Sequence, residues 1–225
     1  MKKAYVPVVV MILFGLLVTA CGTPPPLKSD KYLNDTSLIS GTPCAPPCFH
    51  GVTVGQTTYT DALSKVKADS SFKDVQEIQN QDKVPSAAWN TAGGEACCQM
   101  SADKDTGLIN ALIVKVAPNM TVKQVIDKYG PPDWVTSVDY TPQEVALGLI
   151  FRKVGVMTWV TPGDENSTLK ESDPVVIVLY LNPEPKEFDK LLDTATLQGW
   201  NGYIAYKAYK AATPIVTPRV TPTAQ

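Results

Sequence analysis

Laid over itself so that Thr58 falls on Thr121, the chain of 225 residues repeats its own apolar pattern, and no other feature restricts its fold as much. In that alignment Ala62 meets Val125, Leu63 meets Ile126 and Val66 meets Tyr129. Ala62, Leu63 and Val66 share one face of a helix, as do Val122, Val125, Ile126 and Tyr129, because residues three and four apart lie along one side. Thr121 and Gln124 have the spacing of a capping box, in which hydroxyl and amide satisfy free backbone amides of the first turn; Thr58 with Asp61 is a weaker version. Gly130-Pro131-Pro132 stops the second helix, since glycine suits a left-handed closing residue and proline cannot continue the ladder. The same alignment carries Leu112, Ile113, Val114 and Val116 onto Val175, Val176, Ile177 and Leu179, two apolar runs read as buried strands. Recurrence at this distance predicts a duplicated unit.

Between each helix and its late strand lie shorter extended pieces. In the first repeat these are 73–79, 87–91 and 96–101, with 101–107 as the turn into 108–116; in the second they are 134–140, 145–151 and 155–160. A third helix is expected over 184–195, with Phe188, Leu191 and Leu192 inward and Pro185 in its first turn, followed by a last extended piece over 200–209. The expected fold class is therefore α+β: two tandem helix-plus-antiparallel-sheet units, 44–118 and 119–212, the second completed by the third helix and a terminal strand. Met120, Thr121, Val125, Ile126, Tyr129, Gly130 and Pro131, with hairpins after them, resemble the helix motif of the β-lactamase-inhibitor-protein type of fold and of the small lipoproteins of the outer-membrane assembly machinery. That resemblance implies a fold and carries no activity with it.

Lys2 and Lys3 precede a charge-free stretch, Ala4 to Ala20, whose apolar centre is too short for a comfortable membrane span and closes on small residues. Residues 1–20 thus read as a signal peptide. Val18-Thr19-Ala20-Cys21 resembles the bacterial lipobox, which implies cleavage before Cys21 and a mature chain starting on that cysteine, carrying a fatty acyl group such as palmitate. Residues 22–43 hold Pro24-Pro25-Pro26 and few apolar side chains, so 21–43 is expected to be a lipidated flexible tether. Cys44-Ala-Pro-Pro-Cys48-Phe49-His50-Gly51 resembles the opening of an uncharacterised group of bacterial lipoproteins with a Cys-x-Pro-Pro-Cys signature, implying a domain start. At the other end, 213–225 repeats Thr-Pro, has little to bury and is expected to be disordered.

The formal net charge is −2, and loss of Lys2 and Lys3 makes the remainder more acidic. With no basic run, nucleic acid is disfavoured as a partner. In an oxidising compartment the four remaining cysteines are expected to form bridges. Cys44 and Cys48 enclose a short stiff turn and are the favoured pair. Cys97 and Cys98 stay open: adjacent side chains on a strand point to opposite faces, so one is buried as a small apolar residue or each reaches back to the Cys44/Cys48 turn. The spacings do not match a zinc site.

His50 is the only histidine, and any Cys/His or Ser/His centre would rest on it, with Cys48 as the tempting thiol. A bridged Cys48 removes the nucleophile. Asp103 and Asp105 faintly suggest a calcium loop, but Val114 stands where its bidentate glutamate would be, and a hairpin turn is the better reading. Glu95, Asp139, Glu144, Asp164 and Glu165 show no paired spacing. Trp200, Tyr203, Tyr206 and Tyr209 form the most suggestive set, either a binding face or core. The expectation is an extracytoplasmic, lipid-anchored protein of a bacterial cell membrane, not an enzyme, without metal or cofactor, that binds a protein or glycan of the envelope. The alternatives are an inhibitor or accessory subunit of an extracellular enzyme, and a hydrolase whose site the sequence does not reveal.

Overall fold

The structure, a computed structural model, describes residues 25–79, 82–184, 188–189 and 195–215. Its elements are α1 (Ser37–Ser40), β1 (Cys48–Phe49), β2 (Val52–Thr53), α2 (Tyr59–Ala68), β3 (Phe72–Glu77), β4 (Ser86–Thr91), β5 (Ala96–Ala102) and β6 (Ile109–Lys115). They continue with α3 (Val122–Tyr129), β7 (Trp134–Thr141), β8 (Glu144–Phe151), β9 (Val156–Gly163), β10 (Val175–Leu181), β11 (Leu197–Gly199) and α4 (Tyr206–Ala211).

The expectation of two tandem α+β units is overturned. The fold is β-rich, with a two-stranded ribbon β1–β2 and one antiparallel sheet of nine strands in the order β11-β7-β8-β9-β10-β6-β5-β4-β3. The physical reason lies in the two apolar runs. β6 buries Leu112 and Val114 on one face and Ala111 on the other, while β10 is buried along its whole length. Neither strand can serve as a solvated edge, since an exposed apolar edge invites further pairing. Each satisfies the other instead: Ile113 pairs with Leu179 and Val114 with Val178, joining what would have been two sheets.

One face of the sheet is covered by α2 and α3, whose Ala62, Val66, Val122 and Val125 pack with Trp89, Leu112, Leu147 and Tyr180. Thr58 caps α2 by accepting from the Asp61 amide, and Thr121 with Gln124 forms a full capping box on α3, which ends at Gly130 with φ of 81°. The other face is covered over its β7–β10 half by Leu27 and Phe188, which cluster with Met157, Trp159, Ile177, Leu179 and Leu197 of the sheet. Over β4–β6 the same face is only partly covered among the described residues, with Ala88, Asn90, Gln99, Ile113 and Lys115 half-buried.

Three local expectations are also corrected. Residues 25–43, expected as a free tether, lie on the domain: Leu27, Tyr32, Leu33 and Leu38 are buried, Leu33 bridges to Val116, and Tyr129 donates through its hydroxyl to Leu38 O. These few apolar residues fill the seams that the helices leave, which a count of apolar content does not reveal. The extended piece expected over 200–209 is replaced by a loop and the helix α4, because Tyr206 and Tyr209, three apart, share a helical face and are both buried. Ile215, in the expected disordered tail, bridges to Leu197. Cys21, most of the expected third helix and residues 216–225 lie outside the described residues.

Candidate functional site

The β3–β6 half of the sheet holds a cleft of about 110 Å³ where two backbone irregularities meet. On β3, Lys73 pairs with Asn90 and Gln76 with Ala88, so Asp74 and Val75 stand opposite Trp89 alone. On β5, Asn90 pairs with Ala96 and Trp89 with Cys98, leaving Cys97 as the extra residue. Both bulges therefore flank Trp89. A bulge breaks the alternation of a strand and re-aims side chains. Asp74 takes a positive φ of 54°, a conformation that Asp tolerates better than most residues.

The β5 bulge explains the pair that the sequence left open. Cys97 and Cys98, with Cα atoms 3.7 Å apart, form a disulfide between neighbours. Strict alternation would have sent their side chains apart, and the bulge removes it. Cys44 and Cys48 form the other disulfide, with a Cα separation of 5.7 Å.

Around this floor the cleft presents Asp74, Gln76, Asn90, Gln99 and Lys115, with Ala88 and Ile113 as apolar surface. Asn90 donates to Asp74 Oδ2 at 3.0 Å. Among the described residues the side chains of Gln76, Gln99 and Lys115 make no hydrogen bond, and the Lys115 ammonium lies 5.3 Å from the Tyr32 ring centroid. Burial pushes the Lys115 amine below its ordinary value, with Glu95 opposing the shift. A half-buried amine without an ion-pair partner, beside uncommitted amides, is a set of groups with binding capacity to spare. Among the described residues Trp89 Nε1, buried beneath, also lacks a partner.

A second cluster surrounds His50, in the β1–β2 loop. Its Nδ1 lies 2.6 Å from Asp69 Oδ2 and its Nε2 3.1 Å from Asp35 Oδ2, and its ring packs against Phe49 and Phe72. The hydrogen bond to Asp35 is the largest influence raising the His50 pKa; burial opposes it, and Asp69 adds to the rise. Both nitrogens face carboxylates, so the protonated ring donates twice, and in that form no ring lone pair remains to act as a base. Burial is the largest influence on both Asp35 and Asp69 and opposes their ionisation. Hydrogen bonds outweigh it, from His50 and Ser37 to Asp35 and from Ser71 and His50 to Asp69, leaving both carboxyls below the ordinary value. The cluster ties the N-terminal segment to the end of α2.

The aromatic set is one packed group. Trp200 stacks on Tyr209 at 6.2 Å and meets Tyr203 edge-on at 5.6 Å. Tyr206 and Tyr209 are buried, and Tyr206 donates to Asp139 Oδ1 at 2.8 Å. Trp200 and Tyr203 remain half-buried, so the set as a whole offers no open platform. Asp103 Oδ1 accepts from the amides of Asp105 and Thr106, closing the β5–β6 turn.

The sequence reading missed Asp74, Gln76, Asn90, Gln99 and Lys115 because they look like ordinary solvent-side strand residues. It missed Asp35 and Asp69 because neither is near His50 in the chain. Among the described residues no helix is long and apolar enough to cross a membrane. Comparison with protein-family models, with curated proteins and with solved structures finds no match.

Proposed function

We propose that this chain is an exported bacterial lipoprotein, held at the membrane by an acylated Cys21, whose domain binds an envelope glycan in the β3–β6 cleft and catalyses no reaction. The observation that carries the binding reading is the convergence of two bulges on Trp89 beneath a half-buried, largely polar cleft. A sugar ring presents hydroxyls at its rim and C–H groups on its face. The amides of Gln76, Asn90 and Gln99 and the Asp74 carboxylate match the rim, while Ala88, Ile113 and the adjacent disulfide match the face. The charged leader end, the apolar core and the residues before Cys21 support export and anchoring. Support for a non-catalytic role comes from His50, whose two nitrogens are engaged, and from Cys48, whose sulfur is bonded to Cys44.

Calorimetric titration of the full chain in detergent with fragments of envelope glycans tests the reading. Binding is expected, and Asn90→Ala and Gln99→Ala should each weaken it roughly fivefold, the worth of one hydrogen bond of about 1 kcal/mol. Absence of binding by every fragment, or unchanged affinity in both variants, refutes it.

A further inference from the structure

The chain between the lipid-bearing position and the folded domain is very short. Tyr140 donates through its hydroxyl to Pro25 O at 2.7 Å, Tyr32 does the same to Pro26 O at 2.8 Å, and Leu27 is buried on the sheet. The chain is thus fixed from Pro25 onward. Four peptide links separate Cys21 from Pro25, and whatever their conformation they reach no further than about 14 Å. The headgroup layer alone accounts for about 5–8 Å of that, as half the difference between total bilayer and hydrocarbon thickness.

The edge next to Pro25 also differs from the rest of the surface. Among the described residues the large hydrophobic side chains classed as exposed are Val138, on β7, and Ile215, which bridges to β11, the strand paired with β7. Beside Pro26 an open groove of about 700 Å³ is bordered by Tyr140, Pro142 and Glu144 at the β7–β8 turn. Asp139 on this edge is ion-paired with Lys210 at 2.5 Å, which leaves the Glu144 carboxylate as the charge of the turn and gives the edge no attraction to anionic lipid. An edge that sets Tyr140, Pro26, Pro142 and Val138 beside Thr141, Gln143 and Glu144 is amphipathic, which suits the lipid–water interface rather than the hydrocarbon.

We propose that the β7–β8 edge, around Tyr140, Pro142 and Val138, lies against the lipid headgroups and holds the domain in one orientation on the membrane. The occupant of this surface is a bilayer, and the short leash from Cys21 delivers the edge to it. The inference rests on the anchoring of Cys21 proposed above, and the experiment separates the two.

The full lipidated chain is reconstituted into phosphatidylcholine vesicles with an environment-sensitive fluorescent residue at Gln143, in the β7–β8 turn, or at Asp105, in the turn at the opposite end of the strands. Headgroup-nitroxide lipid is then added. Emission at Gln143 should be mostly lost and emission at Asp105 mostly retained, at low and high salt alike. Equal quenching at the two positions, or none at Gln143, overturns the proposal. Flotation of the same vesicles reads the anchor separately: the native chain should float and Cys21→Ser should not. A native chain that fails to float refutes anchoring and this inference together, whereas one that floats without selective quenching refutes the orientation alone.

Discussion

Replacing His50 by alanine should weaken the fold measurably and change its response to pH in a defined direction. The imidazole makes two charge-assisted hydrogen bonds, at 2.6 and 3.1 Å, and the side chains involved are only 19%, 10% and 26% exposed for His50, Asp35 and Asp69. Bonds to charged groups contribute about 1.5–3 kcal/mol each, and in the variant Asp35 and Asp69 keep the Ser37 and Ser71 amides as donors. Discounting the more exposed Asp69 end leaves a cost of about 3 kcal/mol for His50→Ala, which for a domain of this size lowers Tm by about 6–12 °C. The sign of the pH effect follows from the shifts. The His50 pKa is raised above 6.5, so its contribution is complete below 6.5 and is lost as pH rises through the raised value. Asp35 and Asp69 lie below 3.8, so their contribution is complete above 3.8 and is lost as pH falls through the lowered values. The latch is strongest between these limits. Thermal melts of native chain and variant across pH 4–9 should show their largest gap at pH 4–6.5 and a narrowing gap above it. Hydrogen exchange of the Ser37 and Gly41 amides should quicken in the variant, because Asp35 ties that segment down. A gap within about 2 °C at pH 5, smaller than 1 kcal/mol produces, or a gap that widens on the alkaline side, would refute the argument.

Two further outcomes follow from the backbone. Gly155 closes the turn before β9 with φ of 66°, and a Cβ there would press on Leu181 O; Gly155→Ala should therefore cost more than about 1–3 kcal/mol in chemical denaturation, and a neutral result would show the turn to be adaptable. Peptide mapping without reductant should find Cys97 and Cys98 bridged within one peptide, and alkylation of either, or a cross-link from either to Cys44 or Cys48, would contradict the bulge that brings their side chains together.

The parts of the molecule that nearest neighbours determine could be read from the sequence. The capping box of Thr121 and Gln124, the stop at Gly130, the turn at Asp103 and the positions of β3–β10 depend on spacings of a few residues, and those spacings are explicit in the chain. Tyr203, Tyr206 and Tyr209 carried a similar signal, a period near that of a helix, which aromatic content obscured.

What only the tertiary structure decided was which surfaces meet. Val114 and Val178 belong to runs that look like the ends of two sheets, and their pairing into one depends on β10 being buried along its whole length beside the apolar residues of β6. His50 acquires Asp35 and Asp69, and Trp89 its two flanking bulges, only when distant segments are in place. The docking of 25–33 onto the domain likewise depends on seams that form only once the sheet is assembled. Local spacing fixes which face of an element is apolar, but the partner of that face is fixed by what every other segment leaves uncovered, and no single stretch of sequence contains that sum.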